Sequence, residues 1–508
     1  MSSSELLAPL DLAFWHLESA AHPLHLGALV HFGPVPPATG HEPPDVLELL
    51  ARRAAAVPRL RMRVRDVLLP VGGAAWSADP DFDVSRHVRR ITLPGADFPA
   101  EAARLAAELM EQPVERGLPP WEMYLLSGAP DGSFAVLVKL HHALADGMRA
   151  VAIGAGIFDE IAAGRRPARR PRPVPPRSWL PGPGRLFDLA RERIGDLGRA
   201  VEVGASVVGS SVVRAGRLDG RPAAALAADS SGTRRIATVT LPLDRVQRIR
   251  RTTGGTANDV LLAVVAGALR RWFDGRGLPL PGADPRALVP VSRRRPGAPP
   301  GPGNSLSGYL LDLPVTEPDP AARLAAVRHA MDRNKAAGPF RGAGAVALLA
   351  DQLPPLAHRF GAPFASGAAR LLFDLLVTQV PLPRSALSLG GAPLRALFPM
   401  APLARGQSLA VAMSPYGGQV HIGLVADGEA VPDLDALAAA LTAELELLDP
   451  VPEPDLDLEP VPVPEPDLDL APVLDLAPVP DLAPEPDLAP DLDTKPVPEQ
   501  VSEPVPES

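Results

Sequence analysis

The residues best suited to chemistry stand together in His141, His142, Asp146 and Gly147, at the end of an apolar run that begins at Phe134. Val136, Leu137, Val138 and Leu140 mark that run as a buried strand. Rigid strands that deliver polar side chains into a loop are where function collects. An imidazole gains and loses its proton near neutral pH, with an ordinary pKa of about 6.5. One of the two rings can therefore act as a general base while the nearby carboxylate of Asp146 fixes a ring or the loop. Gly147 would allow a turn that a side chain obstructs. A metal site is disfavoured: adjacent strand residues point to opposite faces, and no cysteine or second histidine pair completes a coordination shell. Spacing alone leaves a general base and a hydrogen-bonded structural histidine both open.

Positioning such a turn requires a large fold, and the composition supplies one. The chain has 508 residues, 46% of them hydrophobic, enough for two or three domains. With no cysteine, disulfides, thiolate–metal sites and a thiol nucleophile are excluded, which fits a reducing cytoplasm. No basic segment followed by an apolar one opens the chain, and Val260–Leu269 is too short to span a bilayer. A cytoplasmic protein, peripheral at most, is expected. The net charge of −9 is uneven: residues 451–508 carry −15, which leaves the other 450 residues with +6. No nucleic-acid-binding motif accompanies that mild basicity, so no nucleic acid is expected as a partner.

Read in order, the chain divides into a first lobe at 1–163, a linker at 164–234, a second lobe at 235–450 and a tail at 451–508. Leu10, Phe14 and Leu17 recur at helical spacing. A short helix is expected from Arg149 to Ala163. Arg165–Arg177 interleaves arginine with proline and suits neither helix nor packed strand. Leu186–Leu218 reads as a pair of connecting helices, or more sharply as a basic amphipathic surface for anionic lipid. In the second lobe, Thr256 or Asn258 can cap a helix whose apolar face runs through Leu261, Val265, Leu269 and Trp272. The tail, with 16 prolines in 58 residues and no aromatic, is expected to be disordered.

His141-His142-Ala143-Leu144-Ala145-Asp146-Gly147 resembles the HHxxxDG signature of the CoA-dependent acyltransferase superfamily. Leu10-Asp11 with Phe14, Glu18-Ser19 and His25 resembles the opening of bacterial wax ester synthase/acyl-CoA:diacylglycerol acyltransferases. Pro119-Pro120-Trp121-Glu122, Asn258-Asp259, Pro290-Val291-Ser292 and Gly303-Asn304 continue that likeness. Thr378-Gln379-Val380-Pro381-Leu382-Pro383 departs from the family's Asn-Val-Pro-Gly-Pro block, and a proline separates Ser414 from Tyr416.

The resemblance implies an α/β (α+β) fold of two chloramphenicol-acetyltransferase-like lobes with an active-site channel between them. It makes His142 the base that deprotonates an alcohol attacking an acyl-CoA thioester. Asp146 becomes a loop-fixing carboxylate paired with an arginine of the second lobe. Pro120 and Trp121 would wall the substrate cleft, and Asn258 and Asp259 would belong to the active centre while also serving as a helix cap. The implied substrates are fatty acyl-CoA and diacylglycerol or a long-chain alcohol. No cofactor is expected beyond acyl-CoA as co-substrate, and the inner membrane or lipid inclusions are the implied surfaces. A condensation-type acyltransferase and an inactive lipid-surface protein of the same fold are the alternatives.

Overall fold

A computed structural model describes residues 5–36, 45–160, 226–292, 306–337, 359, 372–383 and 385–449. Residues 164–225 of the expected linker, with the amphipathic stretch 186–218 among them, lie outside these, as do Arg293, Arg294, Asn304 and the acidic tail; residues 226–234 of that linker are described, and its last residue opens β9.

The first part of the chain forms β1 (Glu5–Leu6), α1 (Pro9–Leu17), β2 (His25–Phe32), α2 (Val46–Ala56), β3 (Met62–Asp66) and β4 (Ala74–Ala78). After these come β5 (Val88–Thr92), α3 (Phe98–Glu111), β6 (Trp121–Ser127), β7 (Phe134–His141), α4 (Gly147–Ile157) and β8 (Asp159–Glu160). The second part begins with β9 (Arg234–Pro242), α5 (Leu243–Thr253), α6 (Ala257–Gly275), β10 (Arg286–Ser292), β11 (Leu306–Asp312) and α7 (Pro320–Ala337). It closes with β12 (Leu375–Gln379), β13 (Leu387–Leu389), β14 (Ala392–Met400), β15 (Leu409–Tyr416), β16 (Gln419–Asp427) and α8 (Leu434–Leu448).

Two large sheets result, ordered β5-β6-β7-β2-β14-β13-β8 and β11-β10-β12-β15-β16-β9, with a small sheet β1-β4-β3 beside the first. The strand before the histidines is central because both of its faces are apolar. Phe134, Val136 and Leu140 enter one core, while Ala135 and Leu137 enter another. A strand covered on both sides reads as a continuous apolar run rather than an alternation.

The sheets do not follow the expected boundaries. β13 and β14, from within 235–450, pair with β8 and β2 and so complete the first sheet. Gly423 on β16 packs so closely under the Pro399 carbonyl of β14 that a Cβ would collide with it. One core, including Leu137, Tyr124, Ala410 and Val425, therefore spans both parts. The helix expected over Arg149–Ala163 ends at Ile157, where the chain turns extended to pair with β13. Nor is α6 one-sided: Val260 through Leu269 are all buried, because α6 is packed on every side. Thr256 caps it, with its hydroxyl accepting from Asp259 N–H while the Asp259 carboxylate accepts from Thr256 N–H.

Candidate active site

β7 pairs antiparallel with β2 on one side and β6 on the other, so its end is held from both flanks. The His141 N–H donates to the Pro120 carbonyl at 3.0 Å, and the His142 N–H donates to the Leu24 carbonyl at 2.8 Å. The chain then turns, and Asp146 caps α4 by accepting from Arg149 N–H at 2.8 Å. This loop-fixing role satisfies the helix start. Any arginine of the 293–294 pair that would face Asp146 lies outside the described residues.

The two rings part company at once. His141 has no accessible surface. Its Nδ1 accepts from Ala143 N–H at 3.0 Å, which puts the ring proton on Nε2, and Nε2 lies 3.4 Å from Glu18 Oε1. His25 Nε2 lies 3.2 Å from the same oxygen, and Arg116 donates to Glu18 Oε2 at 2.8 Å. Burial opposes ionisation of Glu18, but contacts from His141 and His25 outweigh it and hold the carboxyl well below its ordinary range. Burial pushes His25 down to about 4, so a neutral His25 beside an ionised Glu18 is the arrangement that fits.

His142 turns the other way, onto the Phe14 ring of α1, with centroids 3.9 Å apart and planes 28° apart. It is half-buried by surface yet deep enough that desolvation pushes its pKa down to about 4, against the opposing pull of its own backbone hydrogen bond and of Asp146. Only Nδ1 can reach a residue's own carbonyl, so this hydrogen bond leaves Nε2 as the proton acceptor. The neighbouring Trp15 meets the edge of His141 at 5.0 Å. One turn of α1 therefore touches both histidines.

The remaining expected site residues fall in three places. Gly147 is the first residue of α4, and a Cβ there would meet only Val380 Cγ2, at an ordinary 3.7 Å. No turn demands glycine here, contrary to the expectation. The position instead marks where the helix start meets the altered block after β12. Ser414 holds that block by donating to the Val380 carbonyl, and Tyr416 accepts from Leu387 N–H, both at 2.8 Å. Trp121 has no accessible surface and is no open cleft wall. It stacks on His87 at 4.6 Å and donates to the Leu60 carbonyl, while Pro120 acts through the carbonyl that receives His141. Asn258 and Asp259 stand at the α6 cap, and among the described residues no hydrogen bond ties them to the histidine turn.

Glu18, Phe14 and His25 were not assigned roles from sequence. The signal available was the clustering of Phe14, Trp15, Glu18 and His25 within twelve residues, more polar and aromatic than a packing helix needs.

Two family descriptions match the chain: "Wax ester synthase/diacylglycerol acyltransferase catalytic domain" over residues 7–261 and "WS/DGAT C-terminal domain" over 302–449. A probable diacylglycerol O-acyltransferase of Mycobacterium tuberculosis is 30% identical over 463 residues, covering 88% of this chain and 99% of the relative. A second from the same species is 31% identical over 453 residues, covering 86% and 94%. Among solved structures, a wax ester synthase/diacylglycerol acyltransferase from Marinobacter aquaeolei superposes with a TM-score of 0.62 at 24% identity, over 88% of this chain and all of that one. The first condensation domain of the CDA synthetase gives 0.51 at 18%, over 88% of this chain and 96% of that one. These likenesses show the fold of two acyltransferase lobes.

Proposed function

The chain belongs to the wax ester synthase/diacylglycerol acyltransferase family and is an acyl-CoA-dependent O-acyltransferase, and we propose that His142 is its general base. The acceptor in this reading is diacylglycerol or a long-chain alcohol, and the products are triacylglycerol or a wax ester. The observation that carries it is the placement of His142 at the end of β7, stacked on Phe14 and not fully buried, with desolvation pushing its pKa down so that the ring is neutral and its Nε2 can accept a proton.

Nε2 removes the hydroxyl proton as the alcohol oxygen attacks the thioester carbon. Collapse of the tetrahedral intermediate breaks the C–S bond, and the imidazolium returns the proton to the leaving thiolate. Proton transfer of this kind contributes about 10²–10⁴ in rate. Glu18 and Phe14 hold the base, the first through His141 and the second by stacking. The step needs no group beyond acyl-CoA as co-substrate. An acceptor this apolar resides in a membrane or lipid inclusion, so the reading places the protein at such a surface; among the described residues, no helix is long and apolar enough to cross a membrane.

The test is labelled palmitoyl-CoA with dioleoylglycerol or hexadecanol, the products resolved by lipid class. Wild type should form labelled triacylglycerol or wax ester, and His142→Ala should form them about 10³-fold more slowly while melting as wild type does. Ester formation by the alanine variant at near-normal rate would overturn the role of His142.

A further inference from the structure

β3 and β4 are joined by Val67-Leu68-Leu69-Pro70-Val71-Gly72-Gly73, seven residues without a charge. Leu68 is 93% exposed, Leu69 73% and Val71 59%. Together with Leu6 on the neighbouring β1, they make four of the five large apolar side chains exposed among the described residues. Scattered surface leucines are ordinary, but their collection on one hairpin tip is not.

The tip stands on a rigid base. Ala74, Ala75 and Trp76 are buried beneath it, Leu7 N–H donates to the Ala74 carbonyl, and β1 pairs with β4. His16 Nε2 lies 3.3 Å from the Gly72 carbonyl at the foot of the tip. His16 is on α1, two residues after the Phe14 that stacks on His142. The exposed leucines and the reacting ring are thus fixed to the same nine-residue helix.

We propose that the Val67–Gly73 tip inserts into a lipid surface and docks the protein there, with α1 between the lipid and His142. A protein partner fits the tip poorly. Specific interfaces bury about 800 Å² on each side and include polar recognition groups, whereas this is a narrow projection of three aliphatic side chains. Insertion to a depth of about 5–10 Å at the headgroup boundary needs only such apolar side chains. The proposal rests on the lipid-acceptor reading for its catalytic consequence, not for binding.

Flotation of the full chain with phosphatidylcholine vesicles containing dioleoylglycerol tests it. The variant Leu68→Ser/Leu69→Ser/Val71→Ser should float roughly tenfold less than wild type or worse, the scale of losing several apolar contacts with lipid. Its melting temperature and its rate on a short-chain alcohol dissolved in buffer should stay unchanged, while its rate on vesicle-borne acceptor falls. Because the chain has no cysteine, Leu69→Cys carries a single environment-sensitive fluorophore. Its emission should shift to the blue on adding vesicles, which reads insertion even if the triple variant folds badly. Equal flotation of variant and wild type, or a fluorophore that ignores vesicles, would overturn the proposal. Flotation through the tip without any ester formation by wild type would leave docking standing and defeat the acyltransfer reading instead.

Discussion

His141 and His142 are adjacent, yet they face surroundings built on opposite principles. Around His141 the surroundings are polar and closed: Ala143 N–H donates to one nitrogen, the Glu18 carboxylate lies 3.4 Å from the other, and Arg116 donates to that carboxylate. His142 meets an aromatic face and its own backbone, and the residue keeps part of its surface accessible. A ring with no accessible surface can hold a geometry but cannot reach a substrate hydroxyl. A desolvated, neutral ring on a residue that keeps some accessible surface can. On the proposed reading the end of β7 divides structural and chemical work between its two faces, and the alternation of strand side chains makes that division possible.

The harshest test of the division removes the open ring. His142→Ala should lower kcat by about 10³, within the range for a lost general base, with a change in melting temperature too small to account for it. In wild type the pH profile carries the same information. The base acts only when neutral, and burial depresses its pKa to about 4, so kcat/KM should be flat from neutrality down to about pH 5 and fall below that. An acidic limb near 6.5 would mean that the ring is solvated as in free histidine, and the contrast with His141 would disappear.

Much of this was legible in the order of residues. The apolar run from Phe134, the paired histidines and a loop-fixing Asp146 depend on local periodicity and short-range contacts, which one stretch of chain encodes, although that Asp146 does so as the cap of α4 came from the structure. What sequence could not show depends on distant partners. Glu18 stands 123 positions before His141, and nothing in its neighbourhood says which buried N–H it will meet. Trp121 in a Pro-Pro-Trp-Glu block carries the same letters whether it lines a cleft or stacks on His87 in the core. The strands Leu387–Leu389 and Ala392–Met400 look like any others of their half until β2 and β8 offer them a sheet edge.

A smaller effect should come from the His141 side. Glu18→Ala removes the carboxylate that faces the buried His141 Nε2–H, a loss of about 2–3 kcal/mol of stability by chemical denaturation. Its effect on turnover is indirect, through tilting of the β7 end, and should be about tenfold in kcat with KM little changed. The Glu18 carboxyl is depressed, so its stabilisation is present above its unfolded pKa of 4.5 and is lost as pH falls below that value. Glu18→Ala should therefore flatten the dependence of stability on pH below 4.5. A variant that lost all turnover yet kept wild-type stability would place Glu18 in the chemistry and break the division of labour.

The mildest test asks whether a buried acid at a helix start signals function wherever it occurs. Asp146 and Asp259 are both buried, and both cap helices, but only Asp146 adjoins the histidine turn. At α6 the reciprocal pair of Thr256 and Asp259 accounts for the hydrogen bonds made there. Thr256→Ala should cost about 1 kcal/mol, the ordinary loss of a cap, and leave kcat within about twofold of wild type. Asp259→Asn keeps an oxygen able to accept from Thr256 N–H and should change both quantities less still. If the asparagine variant instead lost turnover tenfold at unchanged stability, Asp259 would be acting on the substrate, and the second lobe would share the chemistry now assigned to the first.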